Sequence, residues 1–204
     1  MSIVDRAKNI ITSPKTEWPV IGTEPATTGG LLTYAAILSG IAQLCGIIGA
    51  LLLTGAMSAG MGMAGAGMGT GFVVVSAIVS WLLGLVILFV MSLIAGALAP
   101  SFDGRNDNLQ ALKLLVYAGT PVWVFGFLAI IPILGSIAAL VGFVYAIYLI
   151  YLGAPATVGV PERKAGGYAA VVVIIWMILS FVISGLIVAA IAGAIFSTGV
   201  ATTY

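Results

Sequence analysis

The chain has 204 residues, of which 62% are hydrophobic and only 6% are charged, and its mean hydropathy is +1.26. Such a small number of polar residues cannot cover the surface of a soluble globular protein. The composition therefore predicts an integral membrane protein. Seven Lys and Arg residues against six Asp and Glu residues give a net charge of only +1, so the chain has no basic stripe for nucleic acid. The chain has no His and a single cysteine, Cys45, which removes the most common general base and metal ligand and any intrachain disulfide.

Five apolar segments are long enough to cross a bilayer, since a helix needs about 20 residues to span the hydrocarbon core. The predicted spans are residues 31–53, 72–98, 109–131, 133–152 and 168–196. The stretch 109–152 is too long for one helix, and Pro132 near its middle ends or kinks a helix. The alternative is four spans, one of them kinked. We predict an all-α integral membrane protein with a bundle of five transmembrane helices.

The positively charged residues occur in three segments that precede the first span, follow the second span and precede the last span. They are Arg6, Lys8, Lys15, Arg105, Lys113, Arg163 and Lys164. With five spans these segments share one side of the membrane, and positively charged loops stay in the cytoplasm. The N-terminus is therefore predicted to be cytoplasmic and the C-terminus to be periplasmic or extracellular.

Residues 1–27 are predicted to form a cytoplasmic amphipathic helix and a proline-rich segment, ahead of the membrane domain of residues 28–204. Apolar residues recur at helical spacing across residues 3–11, and Ser2 with Asp5 resembles a capping box. A short helix with one apolar face is expected to lie flat in the membrane interface.

The residues around and after this helix have separate predicted roles. Arg6 is expected on the polar face of the helix, and Pro14 is expected to end the helix. Trp18 is expected at the level of the lipid headgroups, while Pro19 and Pro25 keep the chain extended. The segment is either a membrane anchor for the N-terminus or a surface that binds a partner.

Small and polar residues recur every three or four positions in the first two spans. Gln43 and Gly46 share one face of the first span, and Ser76, Ser80 and Gly84 share one face of the second. Small residues let membrane helices approach closely, so we predict that these positions form helix contacts. For Gln43 we expect a hydrogen bond between helices in preference to a polar path.

Tyrosines lie near the cytoplasmic end of the fourth span. Tyr145 and Tyr148 are three residues apart, so they share one helix face. Their first predicted role is to contact headgroups or neighbouring carbonyls, and their second is to line a pore.

The third span carries a proline one turn after a tyrosine. Lys113 and Tyr117 are one turn apart, and Pro121 frees the carbonyl of Tyr117 from its usual helical partner. Broken helices with free carbonyls form substrate sites in transporters. We hypothesise a vestibule made by these residues with the two tyrosines of the fourth span, closed by the turn at residues 102–107.

The outer connection between the first two spans is rich in glycine and methionine. Met57, Met61, Met63 and Met68 supply thioethers, which are soft ligands for Cu(I). The favoured interpretation is an apolar hairpin in which methionine fills gaps, because no His or Cys accompanies these residues. We predict no metal site and no cofactor.

The sequence contains none of the motifs that mark common catalytic sites. It has no HExxH motif, no Ser and His pair and no carboxylates deep within a span. Asp103 and Asp107 precede the third span without the closing glutamate of an EF-hand, so we expect a solvated turn there and not a cation site. We predict that the protein is not an enzyme.

Five stretches in order carry a resemblance to a known family: SPKTEWPVIGTEP, FDG, LQALKLLVYAGTPVW, IIPILG and YAIYLIYLGAPATVGVPERKAG. The chain resembles the Yip family of Ypt/Rab-GTPase-interacting membrane proteins, specifically its short bacterial branch. The resemblance implies a five-helix bundle with a cytoplasmic N-terminus in a bacterial inner membrane. The positions that match the family pattern, and are candidates for partner binding, are Pro14, Trp18, Pro19, Glu24, Pro25, Asp103, Gly104, Pro161 and Lys164.

Eukaryotic members bind prenylated Rab GTPases and one another, but this chain lacks their long N-terminal region, so a Rab-binding role is not carried over. Two functions are then expected. The first is an interaction or membrane-organising protein that acts on membrane or cytoplasmic proteins through its cytoplasmic face. It would contact the lipid bilayer, and it could form a homo-oligomer. The alternative is a small transporter or channel for a neutral solute or metal that uses the kinked third helix.

Overall fold

A computed structural model of the chain describes residues 2–60 and 70–201, without the side chains of residues 57–60, 72, 132 and 186–201. These residues form seven α-helices joined by short connections, two of which contain 3₁₀ turns, and no strand occurs among them. The helices are α1 Ile3–Thr12, α2 Pro14–Thr23, α3 Thr28–Gly60, α4 Thr70–Leu98, α5 Asn108–Gly126, α6 Pro132–Ala156 and α7 Glu162–Ala201. The 3₁₀ turns are Ala99–Phe102 and Phe127–Ile130.

Five of the helices in the described part are long and apolar enough to cross a membrane, which confirms the predicted number of spans. They cover Thr28–Ala56, Val73–Phe102, Asn108–Ile130, Ile133–Ala156 and Glu162–Gly185. The chain is therefore a multi-pass membrane protein, and its exposed apolar side chains contact lipid.

The division of the long central stretch lies where the proline predicts it. After the 3₁₀ turn Phe127–Ile130, Ile131 takes an extended conformation and Pro132 begins α6. Proline suits this first position because the amide hydrogen that it lacks would have no partner there. The third and fourth spans are thus separate helices.

Several helix boundaries differ from the predicted span boundaries, among them those at the outer connection and at the start of the last helix. The outer connection expected from residue 54 is helical to Gly60, and the Thr54 hydroxyl donates to the Ala50 carbonyl at 2.8 Å. The last helix begins at Glu162, before the predicted start at 168. An acidic residue in a first turn interacts favourably with the helix dipole, so charge does not delay the start of this helix.

The N-terminal helix forms as predicted, but the segment after it does not. Ser2 caps α1, since its hydroxyl accepts from the Asp5 amide at 3.1 Å. The expectation of an extended chain is wrong for residues 14–23, which form α2 with Pro14 in its first turn, whereas Glu24 before Pro25 is extended. Pro19 lies inside this helix, where it removes one backbone hydrogen bond.

Both short helices lie on the bundle. α1 packs against α5, and α2 packs against α6. Trp18 and Ile21 of α2 are each 1% exposed, so Trp18 is buried by protein and is not an exposed interface anchor. Burial of these two side chains by protein offsets the backbone bond lost at Pro19.

The core surrounds α5, which packs against α1, α3, α4 and α6. Most of the first half of α5 is buried, from Ala111 to Val116. α7 is peripheral and contacts mainly α6 and α4. The third span is therefore the centre of the bundle.

The tightest helix approaches occur at glycines other than the predicted ones. A Cβ on Gly49 of α3 would overlap the Ala129 carbonyl, and one on Gly135 of α6 would lie 2.6 Å from the Ala129 Cα. By contrast, a Cβ on Gly46 or Gly84 would meet nothing within 4 Å. The predicted close contacts at these two glycines are therefore wrong.

The predicted polar residues do face one another across the first two spans. Gln43, Ser76 and Ser80 line one cavity of about 300 Å³ between α3 and α4. The polar bond that joins these helices is elsewhere, from the Trp81 indole nitrogen to the Ser39 hydroxyl at 3.0 Å. The expected hydrogen bond of Gln43 does not form within the described residues.

We predict that Gly49→Ala destabilises the protein by about 1–3 kcal/mol, because the added methyl group forces the helix away from Ala129. The matched control is Gly46→Ala on the same helix, which is expected to be neutral or stabilising by about 0.5–1 kcal/mol. Thermal unfolding of the purified protein, followed by loss of the monodisperse species, measures both. Equal effects at the two positions would contradict the assigned helix contact.

Candidate functional site

All charged side chains of the protein lie at one end of the bundle. The seven Lys and Arg and six Asp and Glu residues fall within residues 5–24, 103–113 and 162–164. These segments comprise α1, α2, the connection before α5, the connection after α6 and the starts of α5 and α7. We call this the charged end.

Arg6 binds two glutamates and an aromatic ring at the charged end. Its guanidinium donates to the carboxylates of Glu17 in α2 and Glu24 just after α2. It also lies 5.6 Å from the centroid of the Tyr117 ring in α5, within cation–π range. Arg6 is 5% exposed, so protein covers this position on the predicted polar face of α1. The cluster joins α1, α2 and α5.

Lys113 of α5 holds the end of α2. Its ammonium group donates to the carbonyl oxygens of Ile21, at 3.1 Å, and Glu24. The side chain is buried, and a cation near a helix C-terminus satisfies carbonyls that have no helical partner. The cation predicted to line a vestibule therefore fixes the N-terminal segment instead.

A cavity of about 380 Å³ lies beside these cations. Glu24, Pro25, Leu31, Lys113 and Tyr117 are among its lining residues. The cavity is thus framed by the segment between α2 and α3 on one side and by α5 on the other.

Below this cavity, aromatic and hydroxyl groups link α3 to α5. The ring of Tyr34 meets that of Tyr117 edge to face, with centroids 5.2 Å apart. The Tyr34 hydroxyl shares a hydrogen bond of 3.1 Å with that of buried Thr120, which precedes Pro121. Buried hydroxyls need such partners, so this pair holds the two helices in register.

Glycines let α2 lie directly on α6. A Cβ on Gly153 would lie 2.6 Å from the Trp18 ring, and one on Gly22 would overlap the Ala156 carbonyl. The Tyr145 hydroxyl donates to the Ile11 carbonyl at 2.7 Å, which ties α6 to the end of α1. Within the described residues, the buried Trp18 indole nitrogen has no hydrogen-bond partner.

The turn before α5 packs on the connection between α6 and α7. Asp103 has a φ of 63°, and the next amide, of Gly104, donates to the Ala99 carbonyl at 2.9 Å. A Cβ on Gly104 would lie 2.7 Å from the Val160 side chain, so glycine is needed for this approach. The Arg105 amide donates to the Val158 carbonyl at 2.7 Å.

Asp103 also contacts the start of α7, which follows Pro161. Its carboxylate accepts from Lys164 at 2.7 Å and from Arg163 at 3.4 Å. The hydrogen bond from Lys164 lowers the pKa of the Asp103 carboxyl below its ordinary value of 3.8, and Arg163 acts in the same direction. Asp103 therefore stays ionised at neutral pH.

The structure does not assemble the predicted vestibule. Lys113 and Tyr117 line the cavity beside Glu24, whereas Tyr145 and Tyr148 line a separate groove with the start of α2. The turn at 102–107 packs against the α6–α7 connection and closes neither space. Tyr145 contacts the end of α1 at Ile11, whereas Tyr117 contacts Arg6 near its start, an arrangement that helix periodicity alone did not predict.

Neither candidate metal site gains support. The side chains of Met57, Met61, Met63 and Met68 lie outside the described residues. Asp107 caps α5, accepting from the Gln110 amide at 3.0 Å, while Asp103 binds Lys164. In the part of the chain that the structure describes, no three His, Cys, Asp or Glu side chains lie close enough to hold a metal ion.

Arg6 and Glu17 form a buried pair that the sequence pattern did not predict. Eleven positions separate them, and they lie in two helices on either side of Ser13. The available signal was the presence of opposite charges on both sides of a Ser-Pro helix boundary. That signal does not show which charges turn inward, because the orientation depends on the contact with α5.

We predict that Glu17→Gln destabilises the docked N-terminal helices much more than Glu24→Gln. Both glutamates bind the same guanidinium, but the Glu17 side chain is 8% exposed and that of Glu24 is 42% exposed. Loss of a buried partner costs about 3–5 kcal/mol, and loss of an exposed one costs about 0–1 kcal/mol. Thermal unfolding and proteolysis within residues 1–27 measure the two effects, and equal effects would contradict the buried role of Glu17.

A family model described as the Yip1 domain matches residues 8–184. The match begins within α1 and extends into the last of the five helices that are long enough to cross a membrane. Neither a curated protein nor a solved structure matches the chain. The match covers most of the chain, and the chain has the five apolar helices of a multi-pass membrane protein. The protein therefore belongs to the Yip1 domain family of multi-pass membrane proteins.

Proposed function

We propose that this protein is a non-enzymatic interaction or membrane-organising protein of a bacterial inner membrane, and that it acts through the charged end. The observation that carries this proposal is the confinement of every charged residue to that end. Polar groups that project from one side of a bilayer are the groups with which water-soluble partners and the headgroups of lipids interact.

The charges divide into a buried set and an exposed set. Arg6, Glu17 and Lys113 are buried and bind the N-terminal helices to the bundle. Lys8 and Arg163 are exposed, and the Arg163 side chain is 77% accessible. The buried set supplies a rigid platform, and the exposed set is available to a partner.

The exposed charges have both signs, which favours a protein surface over a polyanion as the partner. Exposed Lys8, Arg105 and Arg163 lie at the same end as exposed Asp5 and Asp103. Complementary charges of mixed sign determine orientation and specificity between proteins. The partner is a membrane or cytoplasmic protein, and a second copy of this chain is one candidate for it.

The charged end faces the cytoplasm in this proposal. Its support is the distribution of Lys and Arg, all of which lie at this end and none at the other. The connection around Ile131 then lies on the opposite side of the membrane.

Transport remains the competing function, and the structure offers it a less complete route. The cavity beside Lys113 is lined no deeper than Leu31 and Tyr117. Beneath it, the Tyr34 and Thr120 hydroxyls bind each other inside the core. A solute path along α5 would have to separate this pair.

Side-specific labelling tests the orientation. In a Cys45→Ser background, Lys8→Cys is expected to react with a membrane-impermeant maleimide only after the cells are permeabilised. Ile131→Cys, which is 58% exposed at the opposite end, is expected to react in intact cells. Reaction of Lys8→Cys in intact cells would reverse the proposed orientation.

Photo-crosslinking tests the interaction. A photoreactive residue at Lys8 or Arg163 is expected to capture the same protein, because the partner contacts the charged end. A photoreactive residue at lipid-facing Ile137 or Val144 is expected to capture no protein. Charge reversal by Arg163→Glu should reduce capture from Lys8 at least about threefold, as expected for loss of a charge contact.

Flux measurements in proteoliposomes test the competing transport function. Passage of a neutral solute above the rate of protein-free vesicles, lost in Tyr117→Ala and Pro121→Ala, would establish the α5 route. Absence of a crosslinked partner together with such flux would overturn the interaction role.

A further inference from the structure

A second cavity at the charged end lies between α2, the end of α6 and the start of α7. Its volume is about 680 Å³, and its lining includes Lys15, Trp18, Tyr151, Pro155 and Glu162. It is distinct from the cavity beside Lys113, which lies between the α2–α3 segment and α5.

Lys15 and Glu162 have opposite charges and share this cavity without pairing. No nitrogen–oxygen distance between them is within 4.0 Å, and neither side chain has a hydrogen bond or ion pair among the described residues. Elsewhere at this end the cations Arg6 and Lys164 bind carboxylates, and Lys113 binds carbonyls. Within the described residues, the cavity thus contains one cation and one anion that have no charged partner.

The cavity lies at the level of the lipid headgroups. The fourth span ends at Ala156 and the fifth begins at Glu162, so two of the three cavity walls are span ends. Tyr151 belongs to the lining and is 41% exposed, as expected for an aromatic residue at a membrane interface.

An apolar stripe leads from the cavity into the bilayer. Leu140, Val144, Tyr148 and Tyr151 are exposed and follow one another at helical spacing along α6. Acyl chains that lie on this stripe would bring a headgroup to the cavity.

We propose that this cavity binds the headgroup of a phospholipid that carries a primary amine, as phosphatidylethanolamine does. Lys15 donates to the phosphate, and the Glu162 carboxylate accepts from the ammonium group of the lipid. Such charge-assisted hydrogen bonds are the stronger class. The site does not depend on a protein partner, so the absence of a crosslinked protein leaves it unaffected.

Lys15 would bind the phosphate of any phospholipid, whereas Glu162 disfavours both competing lipids. An anionic lipid without an amine, such as phosphatidylglycerol, satisfies Lys15 but places its net charge near Glu162. Phosphatidylcholine carries a cation without an N–H donor, so it cannot donate a hydrogen bond to the carboxylate. The combination of Lys15 and Glu162 therefore selects the amine-bearing lipid.

Native mass spectrometry of the protein released from nanodiscs tests this site. The nanodiscs contain equal amounts of phosphatidylethanolamine, phosphatidylglycerol and phosphatidylcholine with identical acyl chains. The wild-type protein should retain phosphatidylethanolamine above its bulk proportion. Glu162→Gln should lower the ratio of bound phosphatidylethanolamine to phosphatidylglycerol about fivefold, and Lys15→Gln should lower retention of all three lipids by a similar factor.

Matched variants separate this site from general surface charge. Lys8→Gln and Asp5→Asn make the same charge changes at exposed positions outside the cavity, and they should leave lipid retention unchanged. All four variants should unfold at the wild-type temperature, which shows that the fold is intact. Retention in bulk proportions by the wild type, or equal effects from the control variants, would overturn the proposal.

Discussion

The Arg6 guanidinium lies between two glutamates and the ring of Tyr117, and the position of both N-terminal helices depends on it. A buried guanidinium is expensive to desolvate, so it is retained only where carboxylates pair with it. Here Glu17 meets that need from α2, and the aromatic face meets it from α5. The first two helices are therefore integral parts of the bundle.

The helix contacts below this cluster depend on shape. Apolar burial does not favour one helix pairing over another in lipid, so close approach at small residues and a few polar bonds decide the packing. Gly49 and Gly135 allow two spans to meet at Ala129, while the Trp81 to Ser39 bond joins α3 to α4. The peripheral α7 is joined to the turn before α5 by Asp103 and Lys164.

The charged end combines rigid and available charges, and the two proposals use different parts of it. The interaction proposal concerns the exposed charges, such as Lys8 and Arg163, whereas the lipid proposal concerns the unpaired Lys15 and Glu162. Both are compatible with one protein, since a bound lipid would occupy the gap between α2 and α7 and leave the exposed charges free.

The sequence by itself determined the membrane class, the number of spans, the break at Pro132 and the capped start of α1. These follow from local properties: apolar length, proline geometry and a side chain that accepts from a nearby amide. Only the tertiary structure decided that residues 14–23 are helical, that Arg6 is buried and that Gly49 replaces Gly46 as a close contact. Each of these depends on a neighbour distant in the chain, and a periodic pattern identifies a helix face without identifying what covers it.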